Sequence, residues 1–208
     1  MKRIISVFLL VLVSSVFLFA TAAESSETVS DLTPWAGLNL PMTALFEGEG
    51  GDTLYAEIAK YAKGYDGKMV RKYFDNMYYT KFRTFEITDG NTVVFDEDNA
   101  VNYAYVGKLE TTWGEYAITW FIFKSNDEYA LANGYKYLLM MPYHGHGDGM
   151  QHCHMRYGNE NFDFLSTDPS VQNSWPTLYQ PAKTDEEKAI FDMMKTAKMQ
   201  ASMLPKVK

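Results

Sequence analysis

Cysteine is almost absent from this chain: Cys153 is the single one in 208 residues. No intramolecular disulfide can form, so stability has to come from a packed core and from whatever the protein binds. Basic residues are also scarce, with 19 Lys and Arg against 26 Asp and Glu. A formal net charge of −7 lacks the cationic surface that phosphate backbones need, which argues against nucleic acid as a partner. Long hydrophobic runs are confined to one place. Ile4 to Ala20 is apolar except for Ser6, Ser14 and Ser15, follows Lys2 and Arg3, and leads into Ala20, Thr21 and Ala22. That succession predicts a cleavable export signal over residues 1–22, and its apolar run is short of the ~20 residues of a membrane span. No cysteine lies near the cut, which excludes a lipid anchor there. Cleavage removes two basic residues and no acidic one, leaving 17 against 26 and a mature charge of −9. The expectation is a periplasmic protein of about 186 residues, free of the membrane after cleavage and large enough for one domain with its own core.

Histidine is the informative scarcity. There are four in the chain, and His144, His146, His152 and His154 all fall within one short window. A neutral imidazole binds zinc, copper or nickel without adding charge, so a whole histidine complement spent on one stretch points to a transition metal. His152 and His154 are two apart in a segment that reads as a strand, where residues i and i+2 share a face and can chelate one ion. Pro142, Gly145, Gly147 and Gly149 make the upstream stretch a loop able to fold a third imidazole onto that ion. Three histidines with an open fourth position is a known zinc arrangement. Asp148 is the acid within the window and a candidate auxiliary ligand, or equally a turn residue. Cys153, between the paired histidines, is expected to face away from them as a small buried residue. Met140, Met141, Met150 and Met155 surround the window and keep copper in view, although filling a core is the commoner work of methionine. The glycines spell a loose Gly-x-Gly-x-Gly, but without a strand–helix context or a lysine they build no phosphate cradle.

The rest of the chain reads as helices followed by strands. Residues 23–31 are a polar lead-in. Asp52 and Thr53 are placed to cap a helix carrying Leu54, Ile58, Tyr61 and Ala62, which Gly64 stops, and a shorter helix is expected near Lys68–Asn76. Thr80–Ile87 and Thr92–Phe95 flank Asp89, Gly90 and Asn91 as a hairpin. Asn102–Val106, Glu115–Phe123, Tyr135–Met141 and Gln151–Tyr157 read as further strands, with connectors at Asn126–Glu128 and at Asn133 and Gly134. Pro169 to Pro181 is irregular. Thr184 to Glu187 forms a capping box before an apolar stripe of Ala189, Ile190, Met193, Met194 and Ala197. Several short antiparallel strands in series predict a barrel or sandwich with helices at both ends, without repeats or a second domain.

Several of these segments together resemble the ZinT (YodA) family of exported zinc- and cadmium-binding proteins. The pair His152 and His154, Gly158 and Asn159 after it, the run Asn173, Trp175, Pro176, Thr177 and Tyr179, and the capped C-terminal helix carry the resemblance. Asp31, Trp35 and Gly37 are similar to the family's opening segment, and Ile87, Gly90 and Val93 to Phe95 to its first hairpin. The resemblance implies a mainly β, lipocalin-like (calycin) antiparallel barrel with N-terminal helices and a C-terminal helix, over residues 32–208. It implies zinc, with cadmium as an alternative, held by three barrel histidines: His152, His154 and one upstream; the donor types themselves also admit copper or nickel. The family's spacing to that upstream ligand is longer than either one here, where seven residues separate His144 from the pair and five separate His146. His144 is the favoured third ligand, with His146 and Asp148 auxiliary. The resemblance also implies a role under zinc shortage and a partner, the solute-binding component of a zinc ABC importer. The chain departs from the family in lacking a His-rich N-terminal tail and the two cysteines of its disulfide, and in having Asn39 where a second tryptophan stands.

Two other classes compete with a non-enzymatic zinc carrier. A zinc hydrolase or hydratase would use the same imidazoles to activate water, but Asp148 is the sole acid in the window and no Glu follows a His at an enzymatic spacing. A ligand-binding barrel would line its cavity with aromatics such as Tyr103, Tyr105, Trp113 and Trp120, the histidines being incidental.

Overall fold

Alternation of large apolar and polar residues builds a nine-stranded antiparallel sheet, and the computed structural model describes residues 29–113, 116–145 and 150–207 of it and its helices. The strands are β1 (Gly37–Pro41), β2 (Phe85–Ile87), β3 (Thr92–Phe95), β4 (Asn99–Asn102), β5 (Ala104–Trp113), β6 (Tyr116–Lys124), β7 (Tyr137–Met140), β8 (His152–Gly158) and β9 (Thr177–Tyr179). Their order across the sheet is β4-β3-β2-β1-β9-β8-β7-β6-β5. The two edge strands β4 and β5 are consecutive in the chain, separated by Tyr103 alone, so the sheet curls to bring them round towards each other without pairing. One cluster of buried side chains proves the curl: Phe85, Phe95 and Val101 from one end of the sheet pack with Phe123, Leu138 and Met155 from the other. This is the mainly β, lipocalin-like architecture with added helices that the sequence predicts.

Helices cover the outer face of the strands from β5 to β9. They are α1 (Met42–Leu45), α2 (Glu49–Ala59), α3 (Gly67–Tyr78), α5 (Phe162–Thr167), α6 (Glu186–Lys195) and α7 (Ala197–Ala201), whereas α4 (Glu128–Asn133) packs Ala130 into the enclosed core. Leu54 and Ile58 of α2, Val70 and Phe74 of α3 and Ala197 of α7 share a second core with Ile118, Trp120, Ile122, Leu139 and Tyr179 of the sheet. Each fully buried Leu, Ile or Phe there contributes about 1.5–3 kcal/mol of transfer free energy. The sheet is thus a wall between two apolar cores, and neighbouring residues on one strand look into different ones. Along β8, Cys153 and Met155 enter the enclosed core. His152, His154 and Arg156 point to the helix side, as their ring neighbours Trp175 and Trp120 show.

Several local expectations need correction. Helix α2 begins at Glu49, ahead of Asp52, and Gly48 (φ +81) is its N-cap without a side-chain bond. Asp52 instead accepts from Arg71 Nη2 at 2.8 Å, and Tyr61 lies past the helix end, exposed. Helix α3 runs to Tyr78, longer than expected, with the Asp66 carboxylate accepting from the Met69 N–H. Only Phe85–Ile87 of the stretch from Thr80 pairs as a strand, because the Asp96 carboxylate takes the Arg83 and Thr84 N–H groups first. Tyr103 breaks the expected strand Asn102–Val106, donating its N–H to Asn91 O and its hydroxyl to Tyr135 O. The connectors at Asp127 and at Gly134 turn out to be the two caps of α4, the same residue types serving a helix instead of a turn. Asp185, not Thr184, caps α6, and the C-terminal helix breaks at Thr196 into α6 and α7. The largest miss is β9, inside the stretch read as irregular, which joins β8 to β1 and so completes the sheet. The expected export signal lies outside the described residues, whereas Val29 already packs against the enclosed core.

Two consecutive glycines set how closely the helices dock. A Cβ on Gly50 would stand 2.8 Å from Ile190 of α6, and one on Gly51 would stand 2.0 Å from the Phe46 carbonyl oxygen. Alanine is the better helix former by about 0.5–1 kcal/mol, but a backbone oxygen cannot swing aside as a side chain does. Overpacking therefore wins at position 51. Gly51→Ala is expected to destabilise the protein by about 1–3 kcal/mol in urea unfolding; a stability equal to or above that of the parent would contradict this packing.

Candidate metal centre

Two chain segments bring the histidines together. After β7, the Met141 N–H donates to His154 O and the Met141 carbonyl accepts from Trp35 Nε1 at 2.8 Å, which holds the departing strand against β8. His144 then forms an isolated antiparallel bridge with His152, each N–H donating to the other's carbonyl at 2.9 Å. A hydrogen-bonded pair of this kind sets two side chains on the same face, about 5.5 Å apart at Cα. Gly145 allows the bridge, since a Cβ there would stand 2.9 Å from the Met150 carbonyl oxygen. His154 joins them by the i, i+2 rule. The three rings are 4.4 Å (His144–His152), 5.1 Å (His144–His154) and 5.1 Å (His152–His154) apart at their centroids. One nitrogen from each lies within 4.8 Å of the others. Three imidazoles on a tetrahedral zinc, with nitrogens at about 2.0–2.1 Å, have centroids about 5 Å apart. The spacing present here is already that of a metal site.

Hydrogen bonds on the far side of two rings decide which nitrogen is available. The Thr177 hydroxyl donates to Trp175 O at 2.7 Å, so at its 2.7 Å contact with His154 Nδ1 it must accept. His154 therefore carries its proton on Nδ1 and turns the Nε2 lone pair outward. His144 Nδ1 lies 3.0 Å from Pro142 O, an acceptor only, which fixes the same tautomer. This is the arrangement that orients and strengthens metal-binding imidazoles. Burial, followed by the neighbouring rings of His152 and His154's other partner His144 and by Arg156, holds the His154 pKa well below the usual 6.5. It is neutral at physiological pH, the form that binds metal.

Asn39 and Tyr143 extend this support. The fully buried Asn39 donates to Trp35 O and Gly37 O and accepts from the Tyr143 hydroxyl, tying β1 to the residue before His144. Nothing in the sequence pattern announces that role. Cys153 faces away from the histidines, as expected, in the enclosed core, where burial pushes its thiol up to about 12. Met140 and Met155 share that core, so Met155 cannot join the histidines as a copper ligand, whereas Met141 and Met150 pack on the helix side. His146 and Asp148 lie outside the described residues. Among the described residues no carboxylate joins the three imidazoles. Of the aromatics considered for a ligand cavity, Tyr103 and Tyr105 pack in the enclosed core and Trp120 stacks on Trp175 at 6.1 Å, while the Trp113 side chain lies outside those described. Arg156, on the same face beyond His154, is buried, and burial lowers its guanidinium to about 10, still charged at neutral pH.

Known proteins place this arrangement in context. A family model described as ZinT (YodA) periplasmic lipocalin-like zinc-recruitment matches residues 19–196. Among solved structures, the zinc-bound ZinT-like domain of Streptococcus pneumoniae AdcA superposes with a TM-score of 0.59 at 20% identity, covering 82% of this chain and 93% of that domain. Zinc-bound AdcA from the same organism gives the same TM-score and identity over 81% of this chain, which spans 36% of that AdcA chain. The chain matches none of the curated proteins.

The tautomers can be read directly in solution. In 15N–1H long-range spectra of the metal-free protein at neutral pH, His144 and His154 are expected in the Nδ1–H form, the minor one for free histidine. Either ring in the Nε2–H form would contradict the hydrogen-bond assignment.

Proposed function

The chain belongs to the ZinT (YodA) family of zinc-recruitment proteins, and on that premise we propose that it holds one Zn²⁺ on His144, His152 and His154 and passes it to an importer. In this reading residues 1–22 are an export signal, 23–31 a lead-in, and 32–208 the zinc-binding domain working in the periplasm. The family is periplasmic, and no helix among the described residues is long and apolar enough to cross a membrane. The observation that carries the reading is the triangle of three imidazoles, two of them with Nε2 presented by Thr177 and Pro142.

Binding is electrostatically simple. Neutral rings bring the ion no compensating charge, while the −9 net charge of the chain after cleavage favours the approach of a cation. Three nitrogens leave a tetrahedral ion one position, which His146, Asp148 or water fills and which an acceptor enters first during transfer. The acceptor is the solute-binding component of a zinc ABC importer; the AdcA structure, where a ZinT-like domain lies within a larger zinc-bound protein, supports that link. The family is one of binding proteins and not of enzymes, and the described residues offer the three imidazoles no carboxylate to serve as a general base. Cadmium, copper and nickel suit the same donors, copper the most strongly by intrinsic affinity, so selection among them depends on what the periplasm supplies.

Zinc titration followed by native mass spectrometry tests the proposal. One tightly held Zn²⁺ per chain is expected, none in His152→Ala/His154→Ala, and a loss of about 10–100-fold in affinity in Thr177→Val, where the ring loses its acceptor. Equal zinc retention by the parent and the double variant would overturn the assignment. An unchanged Thr177→Val would remove the orienting role of that hydroxyl.

A further inference from the structure

Arg156 is built unlike a structural arginine. It is 3% exposed, yet no Asp or Glu pairs with it among the described residues. Its Nη1 donates to Leu165 O at 2.8 Å and Ser166 O at 3.0 Å, at the C-terminal turn of α5. The guanidinium carbon lies 4.7 Å from the Trp175 ring centroid and 5.5 Å from that of Trp120. These contacts fix the plane of the cation without neutralising it. They also leave one edge over: Nε is buried with no hydrogen-bond partner, and the Nε and Nη2 hydrogens form the side-on fork that fits two oxygens of a carboxylate. A buried cation with an unused donor edge is costly unless something anionic completes it.

The side chain forms part of the wall of a pocket of about 170 Å³. Tyr79, Lys81, Tyr157 and Ser174 supply its other polar groups, and Leu165, Val171 and Pro176 its apolar ones. The Tyr157 hydroxyl accepts from the Lys81 N–H at 2.8 Å, so its own proton is left to donate. The Lys81 ammonium makes one long bond, 3.4 Å to Asn133 O. Two cations, three hydroxyls and an apolar wall, with no acid among the lining residues, describe a site for a small anion that carries carbon. Phosphate would leave the apolar wall unused.

We propose that this pocket binds a small organic carboxylate, its oxygens on the free edge of Arg156 and on Lys81, its carbon skeleton against Leu165 and Pro176. Arg156 is not among the proposed zinc ligands, so this site stands or falls apart from the zinc reading. The two sites share a wall: the Trp175 ring meets the His154 ring at 5.4 Å and the Arg156 cation at 4.7 Å, so occupancy of either is reported by one indole.

The test is a titration with succinate, and separately with inorganic phosphate and with sodium chloride at matched ionic strength, followed by tryptophan fluorescence with and without zinc. Succinate is expected to give a saturable change in both arms, weakened about tenfold or more in Lys81→Met and in Arg156→Gln and retained in His152→Ala/His154→Ala. Should Arg156→Gln fail to fold by circular dichroism, Lys81→Met and Tyr157→Phe carry the test, each expected to weaken binding. A response no larger than that of chloride, a response surviving Lys81→Met unchanged, or one requiring zinc and the histidines would overturn the proposal. Tighter binding of phosphate than succinate would overturn the carboxylate assignment.

Discussion

Strand β8 is hydrogen-bonded on both sides, and the site depends on its register. Met140 opposes Met155 across β7, and His154 opposes Thr177 across β9. A slip of one residue would turn the histidines into the enclosed core and set Cys153 and Met155 in their place. Both faces of the strand penalise such a slip, because Cys153 and Met155 are fully buried in one core while His152, His154 and Arg156 meet Trp175, Trp120 and Tyr179 beside the other. The register that buries apolar side chains correctly is therefore the register that assembles the imidazoles. Local metal geometry is inherited from global packing, and no strain is needed to hold it.

That inheritance explains the distribution of the supporting groups. Thr177 sits on β9 opposite His154, Pro142 lies two residues before His144, and Asn39 reaches from β1 to Tyr143. Thr177 and Pro142 each hold a ring through a hydrogen bond whose direction is set by a hydroxyl already committed or a carbonyl that cannot donate, while Asn39 anchors the neighbouring Tyr143. Preorganisation of this kind spares the ordering cost when an ion arrives. In the proposed site it would leave a fourth coordination position open, which suits the zinc recruitment of the family.

How far the chain could be read in advance varied with the physics involved. The histidine pair was legible because period-2 geometry makes an i, i+2 pair a chelate on any strand, and the orientation of Cys153 follows from the same rule. The curled sheet was legible from alternating aromatic runs and turn residues. Strand β9 was not: Thr177, Leu178 and Tyr179 follow Trp175 and Pro176, are all buried, and so show no alternation to detect. Helix α4 was hidden because Asp127 and Gly134 cap a helix with the same chemistry that makes a turn. Thr177 stood within a motif that signalled kinship without showing why a threonine belongs there; only the fold sets its hydroxyl against His154. Arg156 gave no warning at all, since burial of an arginine is a property of the two cores and not of its neighbours in sequence.

The most direct test of the central claim is zinc K-edge X-ray absorption on the protein loaded with one equivalent of zinc. The account predicts a shell of nitrogen ligands at about 2.0–2.1 Å with outer-shell scattering fitted by three imidazoles and no sulfur. A zinc–sulfur distance near 2.3 Å, or scattering from fewer than three imidazoles, would mean that His144, His152 and His154 do not act together as the site.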